Sequence, residues 1–214
     1  MTLQAPLGRP ASSPTDSAQS RLLALAEEEI RRQGFKRMRV VAIAEAAGMT
    51  HANVYRYFPS RLALADAVTV GWLKPVEAAL LDAATAADPA VDKLERMALA
   101  LAQAYRDRLE QDANLFALFA DAVEKARPVA RKHRARTREL IGRVVEEALG
   151  EDSAGRAERE KATNLLFDAG HRFLHPTSVL QDKDVPRSAF NQRLNLMLEV
   201  TLRYFRTRLR IDGA

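Results

Sequence analysis

The stretch AIAEAAGMTHANVYRYFPSR, residues 42–61, decides the fold of this chain. Small apolar residues precede Gly48, whereas polar, aromatic and basic residues follow it. Two short helices cross steeply only where the turn between them is sharp, and glycine adopts the left-handed backbone of such a turn without steric cost. The stretch therefore predicts short helices over 40–47 and 51–57, joined by a turn at 48–50.

Apolar side chains are spaced to close the joint between these helices. Ala44 and Ala47 supply small contacts at the crossing, and three larger side chains form an apolar plug over it: Ile43, Met49 and Val54. This spacing is typical of a helix-turn-helix, whose second helix enters the major groove of DNA. The alternative is a helical hairpin that merely has a polar face. Such a hairpin would not need the small residues, the glycine turn and the apolar plug together, so their coincidence favours the helix-turn-helix.

The second helix carries side chains that suit DNA. Its N-terminal end reaches base edges most easily, where Asn pairs with adenine and Ala or Thr contacts the thymine methyl group. The predicted base-reading residues are Thr50, which also caps the helix, His51, Ala52 and Asn53. Tyrosine hydroxyls and guanidinium groups suit phosphates, and they are offered by Tyr55, Arg56, Tyr57 and Arg61.

Positive charge is concentrated near the front of the chain. Residues 1–64 contain nine Lys and Arg against five Asp and Glu, whereas residues 65–214 contain 24 against 23. A local positive surface attracts the phosphate backbone of DNA. An ordinary solvated helix face has the same balance, so charge alone leaves both interpretations open.

Composition bounds the class of protein. The 214 residues are 47% hydrophobic, which is enough for a substantial core, and the chain contains no cysteine, which excludes disulfides and thiolate ligands. No apolar run approaches the roughly 18 residues that span a bilayer, and the polar opening lacks the apolar region of a signal peptide. We expect a soluble, cytoplasmic protein that needs neither a cofactor nor a metal ion.

Helix-forming residues dominate the chain and predict an all-α fold of about nine helices. Residues 1–16 contain three prolines and no apolar period, and we expect them to form a disordered tail. Gly34 should end the first helix. Pro75 should bend or interrupt a longer helix that opens after residues 59–60, because proline lacks the backbone N–H for the hydrogen-bond ladder.

Residues 21–67 resemble the N-terminal domain of the tetracycline-repressor-like (TetR) family of transcription regulators. The resemblance is carried by GF at 34–35, IAEAAGMT at 43–50, and VYRYFPSR at 54–61 followed by Leu64. It implies a homodimer of about nine helices, of which three form the DNA-binding domain. The other helices hold a dimer face and usually a small-molecule pocket.

The resemblance also implies domain limits and residue roles. It implies a helix-turn-helix domain over 17–67 and an effector-binding and dimerisation domain over 68–214. By position, Tyr55 resembles a tyrosine that buttresses or contacts the DNA backbone, Tyr57 an aromatic residue beside a phosphate, and Arg61 a basic residue that holds a phosphate.

Two positions depart from the family pattern. Arg39 stands where the family commonly has Thr, so the usual hydroxyl cap of the first short helix is missing, and Arg39 is expected to reach the phosphate by charge, helped by Lys36 and Arg37. Glu29 falls where an apolar residue is usual, which changes the expected packing of the first helix.

Bulky residues beyond position 67 offer a lining for an effector pocket, although each is more often simply core. The predicted lining residues are Trp72, Met97, Tyr105, Phe116, Phe119, Phe167 and His171. The spacing of Asp168, His171 and His175 is compatible with a metal site on one helix face, but a polar pocket lining or a satisfied helix end is the favoured interpretation.

The basic run RKHRARTR, residues 131–138, has two interpretations. It places Arg131, Arg134 and Arg138 on one helix face, which suits an anionic effector or a wider DNA footprint. The favoured interpretation is a solvated face. Its expected acidic partners are Glu139, Glu146 and Glu147.

Two apolar stripes suit a dimer face. One lies in the last helix and consists of Phe190, Leu194, Met197, Leu198, Leu202 and Phe205. The other lies in the segment 162–174 and consists of Leu165, Leu166, Ala169 and Phe173. Family resemblance implies dimerisation through the last two long helices, and internal core is the competing use.

These features predict a ligand-responsive, dimeric transcription regulator, most simply a repressor that binds a pseudo-palindromic DNA operator and is released by a small-molecule effector. One alternative is a constitutive DNA-binding protein without an effector. The other is an enzyme, for which the sequence offers no nucleophile with its base, no phosphate-binding glycine loop and no paired catalytic carboxylates in a recognisable context.

Overall fold

The computed structural model of the chain describes residues 14–150 and 155–212, with side chains described over 17–150 and 155–207. This part of the chain is all-α, as predicted. Its helices are α1 (Pro14–Gln33), α2 (Val40–Ala46), α3 (His51–Tyr57), α4 (Arg61–Thr85), α5 (Ala90–Gln111), α6 (Ala113–Glu124), α7 (Pro128–Leu149), α8 (Arg156–Ala169), α9 (His171–Leu174), α10 (Pro176–Gln181) and α11 (Arg187–Asp212). Nine of these eleven have seven or more residues, and a single 3-10 turn covers Phe35–Arg37.

Local sequence signals set the helix boundaries near residues 42–61. Gly34, with φ of 77°, ends α1, and Ser60 caps α4 by accepting a hydrogen bond from the Ala63 N–H at 3.0 Å. Helix α1 begins at Pro14, so the last residues of the predicted disordered tail are helical. The rest of that tail, residues 1–13, lies outside the described residues.

Pro75 does not interrupt α4, which runs unbroken over Arg61–Thr85. Proline removes one rung of the hydrogen-bond ladder, but the helix on either side of it is held by buried side chains. Leu73, Val76 and Leu80 are each at most 3% exposed. Their burial favours a continuous helix over the predicted interruption.

The chain forms two compact units that divide between Val68 and Thr69, within α4. The core of the first unit is made by α1, α2 and α3 and includes Leu22, Ala26, Ile30, Ile43 and Val54. In the second unit α5 packs against α6, α7 and α11. Its fully buried side chains include Met97, Phe116, Phe119, Phe190 and Phe205.

A glycine divides the apolar segment 162–174 between two helices. A Cβ on Gly170 would lie 2.6 Å from Leu174 Cδ1 and 2.8 Å from the Leu166 carbonyl oxygen. A side chain has no room at this position, where α8 ends and α9 begins. No helix in the described part of the chain is both long enough and apolar enough to cross a membrane.

Candidate functional site

The joint between α2 and α3 has the predicted geometry. Gly48 has φ of 66°, in the left-handed region, and Ile43 and Val54 are 2% and 1% exposed. The Thr50 hydroxyl accepts a hydrogen bond from the Asn53 N–H at 3.3 Å, which satisfies one of the unpaired donors at the start of α3. Met49 is half-buried. The turn and the cap therefore fix where α3 begins and which way it points.

The face of α3 that carries the predicted base-reading residues is exposed. Its exposed side chains are Thr50, His51, Ala52, Asn53, Tyr55 and Arg56. The His51 ring lies edge-on to the Tyr55 ring with centroids 4.8 Å apart, so the two rings order each other on the surface. Tyr57 is half-buried. The polar start of a short helix is thus open to a partner.

Basic side chains also lie on the 3-10 turn and at the start of α2. Lys36, Arg37 and Arg39 are exposed. Arg39 occupies the N-cap position of α2 but makes no capping hydrogen bond, so its guanidinium group does not replace the missing hydroxyl cap. The cluster adds positive charge to the same compact unit as α3.

Arg61 has a structural position that the sequence does not reveal. Its guanidinium group lies over the Phe35 ring, 4.6 Å from the centroid, and its Nη2 donates a short hydrogen bond to the Phe35 carbonyl oxygen. The side chain therefore braces the 3-10 turn Phe35–Arg37 from the start of α4. The phosphate contact expected of Arg61 stays a prediction. The guanidinium group already contacts the Phe35 ring and the Phe35 carbonyl oxygen.

Glu29 is buried in α1, where the family pattern has an apolar residue. It is 6% exposed, and it pairs with Arg32 at 2.6 Å and accepts a hydrogen bond from Gln33 Nε2 at 3.1 Å. Partners from the next turn of the same helix satisfy the carboxylate, which is how a charged group is tolerated there.

The second unit contains a cavity of about 160 Å³. Four of the predicted effector-pocket residues line it: Tyr105, Phe119, Phe167 and His171. The other three, Trp72, Met97 and Phe116, lie outside the lining. They belong to the core, where the Trp72 and Phe116 rings pack with centroids 6.2 Å apart and Met97 is fully buried. Helical spacing does not tell which side of an aromatic cluster faces a cavity.

A buried polar network borders the cavity. The Tyr105 hydroxyl lies 2.8 Å from His133 Nε2, and His133 Nδ1 lies 2.9 Å from Glu77 Oε1, whose carboxylate also pairs with Arg136. A neutral His133 that donates from Nδ1 to Glu77 and accepts from Tyr105 satisfies all three groups. Sequence reasoning missed Glu77 and His133, because their separation of 56 positions in the chain hides the contact.

Burial and hydrogen bonding together set the pKa shifts in this network. Burial lowers the pKa of His133, against the opposing effect of the Glu77 carboxylate. Burial acts to raise the pKa of Glu77, but hydrogen bonds from His133 and Arg136 outweigh it and the pKa is lowered. Burial also raises the pKa of Tyr105. The network therefore holds a neutral imidazole between a phenol and a carboxylate.

The basic run 131–138 is exposed at Arg131 and Arg134, as the favoured interpretation expected, but the expected acidic residues pair with other cations. Arg131 and Arg134 line the cavity. Arg138 donates to Asn164 Oδ1 at 2.6 Å and lies over the Phe167 ring, 5.7 Å from its centroid. The expected acidic partners bind other cations: Glu139 pairs with Arg143, Glu146 with Arg159 and Glu147 with Lys93.

His171 and His175 belong to the cavity lining, in agreement with their interpretation as a polar lining. Their rings stack with centroids 4.6 Å apart and 12° between planes. Burial lowers the pKa of His175, and the charges of His171 and Arg134 lower it further. His175 Nδ1 is buried without a hydrogen-bond partner in the described part of the chain.

The apolar stripe identified in α11 is internal core. Phe190, Leu194, Leu198, Leu202 and Phe205 are each at most 2% exposed. A different stripe of the same helix faces outward, and it consists of Leu196, Val200 and Tyr204, which are 61%, 62% and 39% exposed. In the other stripe Leu166 and Phe173 are buried and Leu165 is exposed. The sequence pattern therefore identified the buried side of α11 and missed the exposed side.

The first unit is a helix-turn-helix with an exposed, basic surface, and the chain continues into a larger helical unit with a cavity. These two features define a transcription regulator of the helix-turn-helix class. Comparison with family models supports this class. Residues 22–68 match the model described as bacterial regulatory proteins, tetR family, and residues 90–191 match the tetracyclin repressor-like C-terminal domain. Together the two matches cover more than half of the chain. The chain belongs to the TetR family of transcriptional regulators.

Solved structures of low sequence identity share the fold. The fatty acid degradation regulator FadR from Bacillus halodurans is 13% identical, with a TM-score of 0.63, and the match covers 90% of this chain and 96% of that one. FadR from Thermus thermophilus, in complex with lauroyl-CoA, is 20% identical, with a TM-score of 0.59 and coverage of 89% and 94%. The ketosteroid regulator KstR2 of Mycobacterium tuberculosis is 18% identical, with a TM-score of 0.53 and coverage of 86% and 92%. A comparison with curated proteins found no match.

Proposed function

We propose that the chain is a homodimeric transcriptional repressor, which binds a pseudo-palindromic DNA operator and is released from it by a small-molecule effector. The observation that carries the proposal is the exposed N-terminal end of α3, held by the left-handed turn at Gly48 and the Thr50 cap. A recognition helix reads base edges from this end.

The proposed DNA contacts divide into two groups. Base edges are read by Thr50, His51, Ala52 and Asn53, which are exposed side by side. Phosphates are bound by Arg39, Tyr55, Arg56 and Tyr57. Arg61 contacts Phe35 of the 3-10 turn, and its own phosphate contact completes the second group.

A dimer is supported by the outward stripe of α11. Leu196, Val200 and Tyr204 recur every four residues, so they lie along one face of the helix, and large apolar side chains exposed in a row mark an interaction surface. Leu165 offers a further exposed apolar side chain on α8. Two copies related by a two-fold axis would present two α3 helices to the two half-sites of an operator.

The cavity favours an effector over constitutive DNA binding. It combines aromatic walls with arginine and histidine side chains, the combination by which ligand sites orient a small molecule. The structure of FadR from Thermus thermophilus, in complex with lauroyl-CoA, shows a ligand bound to a protein of this fold. An effector that binds better to a dimer whose spacing does not match the half-sites lowers the DNA affinity by its differential binding free energy.

A repressor of this kind acts where the DNA is, in the cytoplasm, and it acts by binding and not by catalysis. TetR-family regulators are generally non-enzymatic DNA-binding proteins. Both partners of the proposal, duplex DNA and a small molecule, bind without a covalent step.

Selection from a pool of random duplexes with the full chain tests the proposal. The enriched sequences should share an inverted repeat, because a two-fold dimer reads the same half-site twice. Enrichment of a single, non-repeated motif would contradict binding by a two-fold dimer. Absence of any enriched motif would contradict sequence-specific DNA binding.

A further inference from the structure

Two arginines stand at the cavity without an internal partner. Arg131 and Arg134 are one helical turn apart on α7, and both line the cavity. Neither guanidinium group makes an ion pair or a hydrogen bond in the described part of the chain, whereas the neighbouring Arg136 and Arg138 both do. The charges of Arg131 and Arg134 are therefore available to a ligand.

The rest of the lining is mostly apolar. Aromatic and aliphatic walls are made by Leu101, Tyr105, Phe119, Val123, Phe167 and Leu174. Asp168 is the acidic member of the lining, so the fixed charges at the cavity are two positive and one negative. A ligand that matches this lining has an apolar body and one anionic group.

The size of the cavity restricts the apolar body. At about 160 Å³ it is close to the roughly 150 Å³ of an engineered apolar cavity that accommodates benzene. One aromatic ring or a short branched chain fills such a space, whereas a long acyl chain exceeds it.

We propose that the cavity binds a small carboxylate with a ring-sized apolar body, whose carboxylate is held by Arg131 and Arg134. Arginine is suited to this role because its planar donors match the two oxygens of a carboxylate. The inference rests on the proposed function, because it names the chemical class of the effector.

Charge-matched probes on the full chain test the class of ligand. Benzoate, benzyl alcohol and benzylamine share one ring and differ in charge, so calorimetry and melting temperature separate charge from shape. We expect benzoate to bind at least about tenfold more tightly than benzyl alcohol, since hydrogen bonds between charged groups are roughly twice as strong as neutral ones. We expect no binding of benzylamine. Equal binding of benzoate and benzyl alcohol, or preferential binding of benzylamine at Asp168, would overturn the proposal.

Dodecanoate tests the size limit. It has the same carboxylate as benzoate and a chain much longer than one ring. We expect it to bind more weakly than benzoate. Tighter binding of dodecanoate would show that the cavity opens to long chains, and the proposed ring-sized body would be wrong.

Variants of the exposed arginines locate the carboxylate without disturbing the core. Arg131→Gln and Arg134→Gln should each weaken benzoate binding by about tenfold and leave benzyl alcohol binding unchanged. Lys132→Gln removes the same charge from the same helix at an exposed position outside the lining, and it should leave benzoate binding unchanged. If all three variants weakened benzoate binding equally, the effect would be one of long-range charge, and the assignment of the carboxylate to Arg131 and Arg134 would be wrong.

Filling the cavity gives a second, independent readout. Ala130 lines the cavity and is 5% exposed, so Ala130→Leu places a larger side chain in the ligand's space and should abolish binding of all the single-ring probes.

Operator binding measured on the same samples separates the proposed ligand class from the proposed function. DNA binding without benzoate binding would refute the ligand class and leave the regulator standing, whereas benzoate binding without DNA binding would do the reverse.

Discussion

At the scale of the residue, one dihedral angle sets the direction of α3, the proposed recognition helix. Gly48 has φ of 66°, and no heavy atom lies within 4 Å of the position that a Cβ would occupy. The constraint is therefore conformational and not steric crowding, because left-handed backbone costs other residues roughly 1–2 kcal/mol. This position could be predicted from the sequence because the glycine, the small joint residues and the cap are close neighbours in the chain.

Gly48→Ala should lower the free energy of unfolding by about 1 kcal/mol, because alanine must adopt the left-handed backbone. Gly71→Ala is the matched control: Gly71 is exposed inside α4, also without a neighbour within 4 Å, and its backbone is helical. Alanine should raise the free energy of unfolding there by about 0.5–1 kcal/mol. Urea denaturation measures both, and effects of the same sign would contradict the account.

His133 should make stability depend on pH. Because burial lowers its pKa, the unfolded chain takes up the proton first as the pH falls. The stabilisation by neutral His133 is complete above its ordinary pKa of 6.5 and is lost as the pH falls from there toward the lowered pKa. The advantage of the wild type over His133→Gln in free energy of unfolding should therefore shrink between about pH 7 and about pH 5. A constant difference over this range would show that His133 does not titrate as the structure requires.

At the scale of the element, Arg106 fastens the loop that precedes α11. Its Nη1 donates to the Asp182 carbonyl oxygen at 3.0 Å, and its Nη2 donates to those of Lys183 at 3.1 Å and Val185 at 2.7 Å. Its Nε pairs with Glu110 at 2.7 Å. One buried side chain thus satisfies three backbone acceptors between α10 and α11, which fixes where the last helix begins.

Arg106→Met should lower the free energy of unfolding by roughly 2–4 kcal/mol, because it removes the donor to the Lys183 and Val185 carbonyl oxygens. The Asp182 carbonyl oxygen keeps the Val185 N–H, and Glu110 keeps Arg187. Arg143→Met is the control, since Arg143 is exposed and pairs with Glu139 one turn away on the same helix. It should cost about 0.5 kcal/mol or less. Equal losses in urea denaturation would mean that the loop does not depend on the Arg106 contacts.

Contacts that are distant in sequence explain what the sequence did not predict at this scale. Local punctuation predicted α2, α3, the end of α1 and the start of α4, whereas the short helices α9 and α10 were not predicted. The caps at Thr50 and Ser60 follow from local patterns. The Arg106 contacts span 76 to 79 residues, and no local pattern indicates them. The cavity likewise depends on how α5, α6 and α7 are rotated against one another. Aromatic residues in its wall and aromatic residues in the neighbouring core therefore have the same sequence pattern.

At the scale of the whole molecule, the proposed dimer gives the exposed stripe of α11 its use. Family resemblance predicted that this helix forms the dimer face, but the sequence pattern selected its buried side, because both sides of α11 carry apolar residues. Burial separates them: the stripe with Leu194 and Leu198 is inside, and the stripe with Leu196 and Val200 is outside.

Leu196→Glu should convert the dimer to a monomer, because it places a charge within an apolar contact between copies. Leu81→Glu makes the same change at an exposed leucine of α4, and the protein should remain a dimer. Sedimentation velocity measures the oligomeric state. Operator affinity of Leu196→Glu should fall by more than about tenfold, since a single half-site lacks the second contact. A Leu196→Glu protein that stays dimeric would place the interface elsewhere.

The most direct measurement of the central claim is the affinity of Asn53→Ala for the selected operator and for a random duplex, beside Gln103→Ala, an exposed amide on α5, as control. If the start of α3 reads bases, Asn53→Ala should lose about 1–3 kcal/mol on the operator and nothing on random DNA, and Gln103→Ala should lose nothing on either. Unchanged operator affinity of Asn53→Ala, or equal losses on both duplexes, would contradict the account.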